Sequence, residues 1–445
     1  MLVLSRSQEL IEKNIDDEFG LGLAKGYCQR LKLTEENTPI IVDYLKSLEN
    51  EIHLSSNYKR MNLTTLVYLS RFHSNKDFKE MTKDDVLSYL NSLKKSETVD
   101  PIHSWVSTYN LYLVLLTRFF KWLYAPHLLA RERQRPSCVN IAALKRKEKS
   151  VYKPSDMWTQ ENDLLFLKYC PSKRDKCYHA ISRDSSCRPH ELLNIRIKDI
   201  VFKMAEGRQY AEVLVNGKTG QRHIPLIDSI PYLKDWINNH PQGNNEDAIL
   251  ICGFNKSLGR SIRIESLNHI YQNYKKEIFV KLLNNPNIPA EDKSRIRDLL
   301  KKPWNPYIRR HSALTEKSKI LKEHTLRQHA GWSITSNTHQ KYIHYYGNES
   351  NESILEAYGL KSKHEHTDNL RPKQCPNCNE PNQVNSRFCV KCKMILSYEE
   401  YVVTIENKKK QNSELEKLKE RQDRFEIILQ SLIDAGRLKP IMNRT

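Results

Sequence analysis

Apolar residues recur every three or four positions through most of the first quarter of the chain, and turn signals cut the pattern into helix-sized pieces. The spacing predicts helices over Thr38–Leu48, Tyr58–Phe72, Asp84–Leu93 and Ser104–Tyr124, with Thr82 or Asp84 capping the third. The fourth carries so many apolar and aromatic residues from Tyr109 to Tyr124 that it is expected at the centre of a small helical core. Its aromatics are expected to pack, not to stack on bases. Together these segments define a helical domain over residues 15–130.

A change of pattern follows. Arg131, Arg133, Arg135 and Pro136, then Lys145, Arg146, Lys147, Lys149 and Lys153-Pro154, form a basic, proline-marked connector over 131–155. Such a stretch is either a solvated linker or one laid along phosphates. A second domain, 156–350, begins near Trp158, with Thr159 placed to cap a helix through Lys168. A helix is expected near Ser186–Arg196. Alternation over Tyr210–Val215, then Asn216-Gly217, then Arg222–Leu226 predicts a β-hairpin with its tip at Asn216–Gly220. Helical spacing resumes at Ser266, breaks at Asn285-Pro286, Pro303 and Asn305-Pro306, and carries a last helix through Tyr342 to Gly347. The fold class expected is mainly α with a small antiparallel sheet, an α+β chain.

Composition narrows the partner. Across 445 residues, Lys plus Arg outnumber Asp plus Glu by 72 to 53, a net charge of +19. That excess favours a polyanion, because phosphates bound by Lys and Arg release condensed counterions. No membrane is expected: the most apolar stretch, Leu111–Ala125, is short and interrupted by Arg118 and Lys121. Met1–Arg6 lacks the apolar length of a signal peptide. Of ten cysteines, four form one paired cluster and six are scattered, which suits a reducing compartment, hence a cytoplasmic, nucleoid-associated protein.

The candidate chemistry lies between Arg188 and Tyr342. A tyrosine hydroxyl, with an ordinary pKa of about 10, is a weak nucleophile. Attack on a phosphodiester needs positive charge around the non-bridging oxygens and an acid for the departing oxygen. Two arginines suit the first task, since each presents a permanently charged planar fork. Lys218, on the hairpin tip, suits the second. Tyr345 and Tyr346 compete with Tyr342 for the nucleophile's place.

These residues carry a resemblance to the tyrosine recombinases (phage-type integrases), and more narrowly to archaeal members. Arg188-Pro-His-Glu-Leu-Leu193 resembles the block of the first catalytic arginine, with Glu191 in a supporting place. Asn216–Gly220 followed by Ile224-Pro225-Leu226 is similar to the hairpin bearing the catalytic lysine, Lys218. Tyr307-Ile-Arg-Arg310-His-Ser312 resembles the block of the second arginine, Arg310, although Tyr307 stands where the family usually has His. Gly331-Trp332 occupies the His/Trp position, and Tyr342 follows at the spacing of the nucleophile. The resemblance implies a core-binding domain followed by a catalytic domain, clamping duplex DNA. It also implies strand exchange through a 3′-phosphotyrosine without metal or nucleotide. The catalytic set would be Arg188, Lys218, Tyr307, Arg310, Trp332 and Tyr342, in a protein that assembles as a dimer or tetramer on double-stranded DNA. Integration or excision of a mobile element uses this chemistry. Relaxation of the type IB topoisomerase kind, or DNA binding without catalysis, are the alternatives.

Two features follow. Cys375-Pro-Asn-Cys378 and Cys389-Val-Lys-Cys392 are two CxxC knuckles, able to close a tetrahedral Zn²⁺ site with no open position, a structural zinc ribbon over 370–397. Whether it touches DNA, a partner or its own chain is open at this level. A charged helix is expected over 399–436, where Leu415, Leu418, Gln422, Phe425, Leu429 and Leu432 alternate by three and four. That is one seam of a coiled coil, or equally the face of a docked helix.

Overall fold

The computed structural model describes residues 18–146, 152–217, 220–333, 335–342, 358 and 370–434. The chain divides into two units, Met1–Val151 and Tyr152–Thr445. Among the described residues of the first, α1 (Lys25–Lys32), α2 (Asn37–Glu51), α3 (Ser56–Phe72), α4 (Lys83–Ser92) and α5 (Trp105–Tyr124) follow the apolar spacing closely. Thr82 caps α4 in a reciprocal capping box with Asp85, so two otherwise orphaned N–H groups are satisfied. α5 supplies the centre of the core: Phe119 and Phe120 are wholly buried, each contributing about 1.5–3 kcal/mol.

The first half of the expected basic connector departs from a solvated linker. Cys138, Val139 and Ile141 join the core of the first unit. Arg133 is buried on Glu51 at 2.6 Å, and Arg135 donates to the carbonyls of Val139 and Ile141. These guanidiniums are turned inward onto carbonyls that need donors, Arg133 onto Ala125 O and Pro126 O just after α5 and Arg135 onto Val139 O and Ile141 O around a one-turn 3-10 helix, Ser137–Val139.

The second unit opens with α6 (Gln160–Tyr169), capped by Thr159, and α7 (Lys173–Ser185), followed by the one-turn α8 (Pro189–Leu193). A three-stranded antiparallel sheet comes next: β1 (Ile200–Ala205), β2 (Arg208–Gly217) and β3 (Gly220–Leu226), in sheet order β1-β2-β3. β2 and β3 form the expected hairpin, and Gly217 pairs with Gly220 across its tip. Lys218 lies outside the described residues. β1 was not signalled by alternation: apart from Ile200 all its residues are exposed, so no period of two marks it.

Helices α9 (Ile230–Asn238), α10 (Ile264–Asn273), α11 (Phe279–Leu283), α12 (Ala290–Lys301), α13 (Pro306–Lys317) and α14 (Glu323–Ala330) complete this core, with a one-turn α15 (Thr338–Gln340) before Tyr342. Trp158, Phe166, Phe279 and Trp304 interlock edge-to-face and stacked at its centre. The architecture is mainly α with a small antiparallel sheet. A two-stranded ribbon, β4 (Lys373–Gln374) and β5 (Pro381–Asn382), and a 37-residue helix α16 (Tyr398–Asp434) follow. No described helix is long and apolar enough to cross a membrane.

Candidate active site

Three successive carbonyls at the C-terminal end of α14 gather the site. Each is an orphan acceptor, because the helix supplies no further N–H. His329 O accepts from Arg222 Nε at 3.2 Å, Ala330 O from Arg310 Nη2 at 2.8 Å, and Gly331 O from Arg188 Nη1 and Nη2 at 3.4 Å. The negative end of the helix dipole favours the three cations there. Gly331 has φ +62°, the left-handed cap that ends α14, and a Cβ at this position would lie 2.7 Å from Arg222 Nη1. Glycine is required on both counts.

Arg188 is the N-cap of α8, where Pro189 fits the first turn. The carboxylate of Glu191 accepts from the Arg188 backbone N–H at 2.9 Å, from Arg188 Nη1 at 2.9 Å and from Arg222 Nη2 at 2.7 Å. Its side chain is 0% exposed. Burial pushes its pKa up, but the Arg222 and Arg188 hydrogen bonds prevail and hold it at about 2. Arg310, on α13, also donates from Nη1 to Ser186 O at 2.6 Å. Ser186 ends α7 with φ 52°, a left-handed conformation costly for a non-glycine residue. Burial first, then the charge of Arg188, lowers the Arg310 pKa to about 10. Arg188 and Arg222 share the one carboxylate of Glu191, and Arg310 stands near them on carbonyls, so positive charge exceeds negative at this helix end.

Arg309 goes elsewhere. It is 0% exposed, sits over the Trp158 ring at 5.1 Å, and places Nη1 2.7 Å from Asp163 Oδ1. Asp163 also meets His179 Nε2 at 3.0 Å and Arg183 Nε at 3.1 Å. Adjacent residues on a helix point about 100° apart, so one arginine serves the core and the next the site.

Tyr342 is 3% exposed and stacks near two rings, His311 at 5.7 Å and Trp332 at 5.3 Å, both nearly parallel to it. Its Oη is 2.8 Å from His311 Nδ1. Burial, then Lys341, then Arg310 lower the His311 pKa to about 4. Its imidazole is therefore neutral near pH 7, and in the tautomer with its proton on Nε2 it would accept the phenol O–H at Nδ1. Tyr307 is 41% exposed on the first turn of α13, one turn ahead of Arg310. Of the expected residues, the structure brings Arg188 and Arg310 onto one helix end and Trp332 onto Tyr342. Tyr345 and Tyr346, like Lys218, lie outside the described residues. Sequence reasoning missed Arg222 altogether; the only signal was its place opposite Val215 in the hairpin register.

The four cysteines converge. The Sγ atoms of Cys375, Cys378, Cys389 and Cys392 lie within 4.8 Å of one another and could hold a metal ion. The two knuckles repeat one backbone design. Asn379 and Lys393, each following a second cysteine, adopt φ 57° and 62°. Their N–H groups donate to Cys375 O and Cys389 O, while Cys375 N and Cys389 N donate to Glu380 O and Met394 O. The question of what this ribbon touches has a partial answer: its own chain. Glu380 pairs with Lys234 on α9, and Asn379 Nδ2 donates to Gly207 O at the β1–β2 turn at 2.6 Å.

No protein-family model matches the chain, and no curated protein matches it. Several solved structures share part of its course. A lambda integrase dimer bound to a COC' core site is 14% identical at TM-score 0.47, over 77% of this chain and 87% of that one. The Tn1549 transposon integrase, residues 82–397, in complex with transposon right end DNA is 12% identical at TM-score 0.47, over 72% and 99%. The XerH site-specific recombinase bound to a palindromic difH substrate is 16% identical at TM-score 0.44, over 78% and 98%. Likenesses at this level fix neither activity nor assembly.

Proposed function

We propose that the chain is a DNA strand transferase of the tyrosine recombinase kind, acting on double-stranded DNA in integration or excision of a mobile element. The observation that carries this is the hydrogen bond from Tyr342 to a neutral His311, one residue from the buried Arg310.

In this scheme the scissile phosphate enters beside Arg188 and Arg310, whose forks bind its non-bridging oxygens and stabilise charge that grows in the transition state. Tyr307 donates to the phosphate from the turn preceding Arg310 and takes no part as a base. His311 receives the phenol proton at Nδ1 as Tyr342 Oη bonds to phosphorus. The bond from phosphorus to the 5′-oxygen breaks, and Lys218 protonates that oxygen. A 3′-phosphotyrosine and a free 5′-hydroxyl result. A 5′-hydroxyl of a partner duplex then attacks phosphorus, giving its proton to Lys218, while the bond from phosphorus to Tyr342 Oη breaks and His311 returns the phenol proton. Entry of the phosphate offsets the Arg310 charge, one of the groups depressing His311, so the base strengthens when substrate arrives. Trp332 stacks against the tyrosine ring and helps hold its orientation.

The four cysteines fit Zn²⁺: all-sulfur, closed, and held by paired knuckles, so the ion would fix the ribbon's fold and supply no catalysis. Assembly of dimers or tetramers on DNA is part of the proposal.

Covalent trapping on a nicked suicide DNA substrate tests it. Wild type is expected to leave an SDS-resistant adduct that Tyr342→Phe lacks. An adduct that survives this substitution moves the nucleophile to Tyr345 or Tyr346. Absence of any adduct on DNA that is bound overturns the enzymatic reading, and relaxation without joining of two duplexes favours a topoisomerase.

A further inference from the structure

Helix α16 spans 37 residues, about 55 Å at 1.5 Å per residue. Every residue from Glu406 to Leu429 is exposed, including Leu415, Leu418 and Phe425, the last at 64%. A lone helix draws most of its stability from a packed apolar face, and none is packed along this length. Of the occupants the sequence left open, neither the catalytic domain nor the zinc module covers this face among the described residues.

The pattern of charge selects the occupant. With Leu415, Gln422 and Leu429 at a, and Leu418, Phe425 and Leu432 at d, the flanking g positions are Glu414, Arg421 and Ile428. The e positions are Lys419, Glu426 and Ile433. In a parallel pair, each g residue meets the e residue five positions on in the partner helix. That rule matches Glu414 with Lys419, Arg421 with Glu426, and Ile428 with Ile433: two opposite-charge pairs, then one apolar pair. All three matches are favourable. The single polar a residue, Gln422, meets its own copy only when the helices are parallel and in register, which is how a polar a residue sets register.

We propose that α16 pairs with the α16 of a second copy of this chain as a parallel, in-register two-stranded coiled coil. This pairing needs no DNA, so it stands apart from the strand-transfer chemistry.

The test uses the full-length protein, at micromolar concentration and above, without DNA and in salt that suppresses nucleic acid carry-over. Sedimentation velocity reads the mass. Wild type is expected at the mass of two chains. Glu414→Lys with Arg421→Glu makes both charged pairs repulsive, and so does Lys419→Glu with Glu426→Lys; each double variant is expected at one chain. Mixing the two variants makes every charged pair attractive again and is expected to restore the two-chain mass. Circular dichroism of each variant checks that α16 and the rest remain folded, as exposed positions should allow. Gln422→Cys is expected to crosslink to its copy on mild oxidation, above the background of wild type. A single-chain wild type, double variants that stay paired, or a mixture that does not pair would each overturn the proposal. Pairing without the 422 crosslink would overturn its parallel register.

Discussion

The hydroxyl of Tyr342 rests 2.8 Å from Nδ1 of His311, an imidazole whose pKa burial and nearby cations bring down to about 4. The position that the family resemblance assigns to a histidine holds Tyr307, and in the proposed mechanism the proton acceptor for the nucleophile is His311, four residues further along α13, about one helical turn. His311→Gln should therefore keep DNA affinity while slowing single-turnover adduct formation roughly 10²–10⁴-fold, the usual worth of a positioned base. A base works unprotonated, so the wild-type rate is lost as pH falls through the His311 pKa. In the DNA complex that midpoint should lie above 4, because the phosphate offsets Arg310. The pH profile of His311→Gln should lack this acid limb. An unchanged rate and an unchanged profile would remove His311 from the mechanism.

Glu191 is the carboxylate that both Arg188 and Arg222 share, with no exposure to water. Removing it leaves two guanidiniums facing each other without a counter-charge. Glu191→Ala should cost roughly 3–5 kcal/mol of stability by urea unfolding, as breaking one side of a buried pair does. Glu191→Gln should cost less, because its amide oxygen still accepts one hydrogen bond.

Stability should also decline on the acid side of neutrality. His179 is fully buried, and burial and Arg309 hold its pKa near 4 despite Asp163. Between about pH 6.5 and pH 4 the unfolded chain binds a proton that the folded one refuses. Folding stability therefore falls as pH falls through that window, by up to about 1.4 kcal/mol per pH unit for this group. His311 and His329, both also depressed by burial, act in the same sense. Urea midpoints taken across the window should slope accordingly, and His179→Gln should flatten the slope if it folds.

Metal analysis should find one zinc per chain. Chelation under reducing conditions should expose residues 370–397 to proteolysis, because so short a polar segment has little else to hold it. Cys375→Ser should do the same while leaving adduct formation by the catalytic domain intact. Loss of the adduct on chelation would mean the ribbon does more than hold its own fold.

Much of this was legible in the chain. Helix ends marked by Thr82, Thr159 and Asn305-Pro306 fall where the capping residues put them, since a cap's work is local. The hairpin was likewise readable. β1 was not, because Val201, Phe202 and Met204 are apolar yet exposed on both sides of an edge strand. Nor was Arg222, whose role arises only when the sheet register and the end of α14 meet in space. The inward turn of Arg133 depended in the same way on a distant partner, Glu51.

The neighbours Arg309 and Arg310 have one further consequence. They are chemically identical, so their side chains alone do not decide which stands in the core and which at the end of α14. Asp163, a carboxylate on another helix, pairs with Arg309, while Arg310, also buried, is held by the carbonyls of Ser186 and Ala330. Asp163 thus works as an address label for a residue it never meets. If the proposed function holds, a lineage could lose the reaction by changing this one core acid while every residue of the site itself stayed as it is.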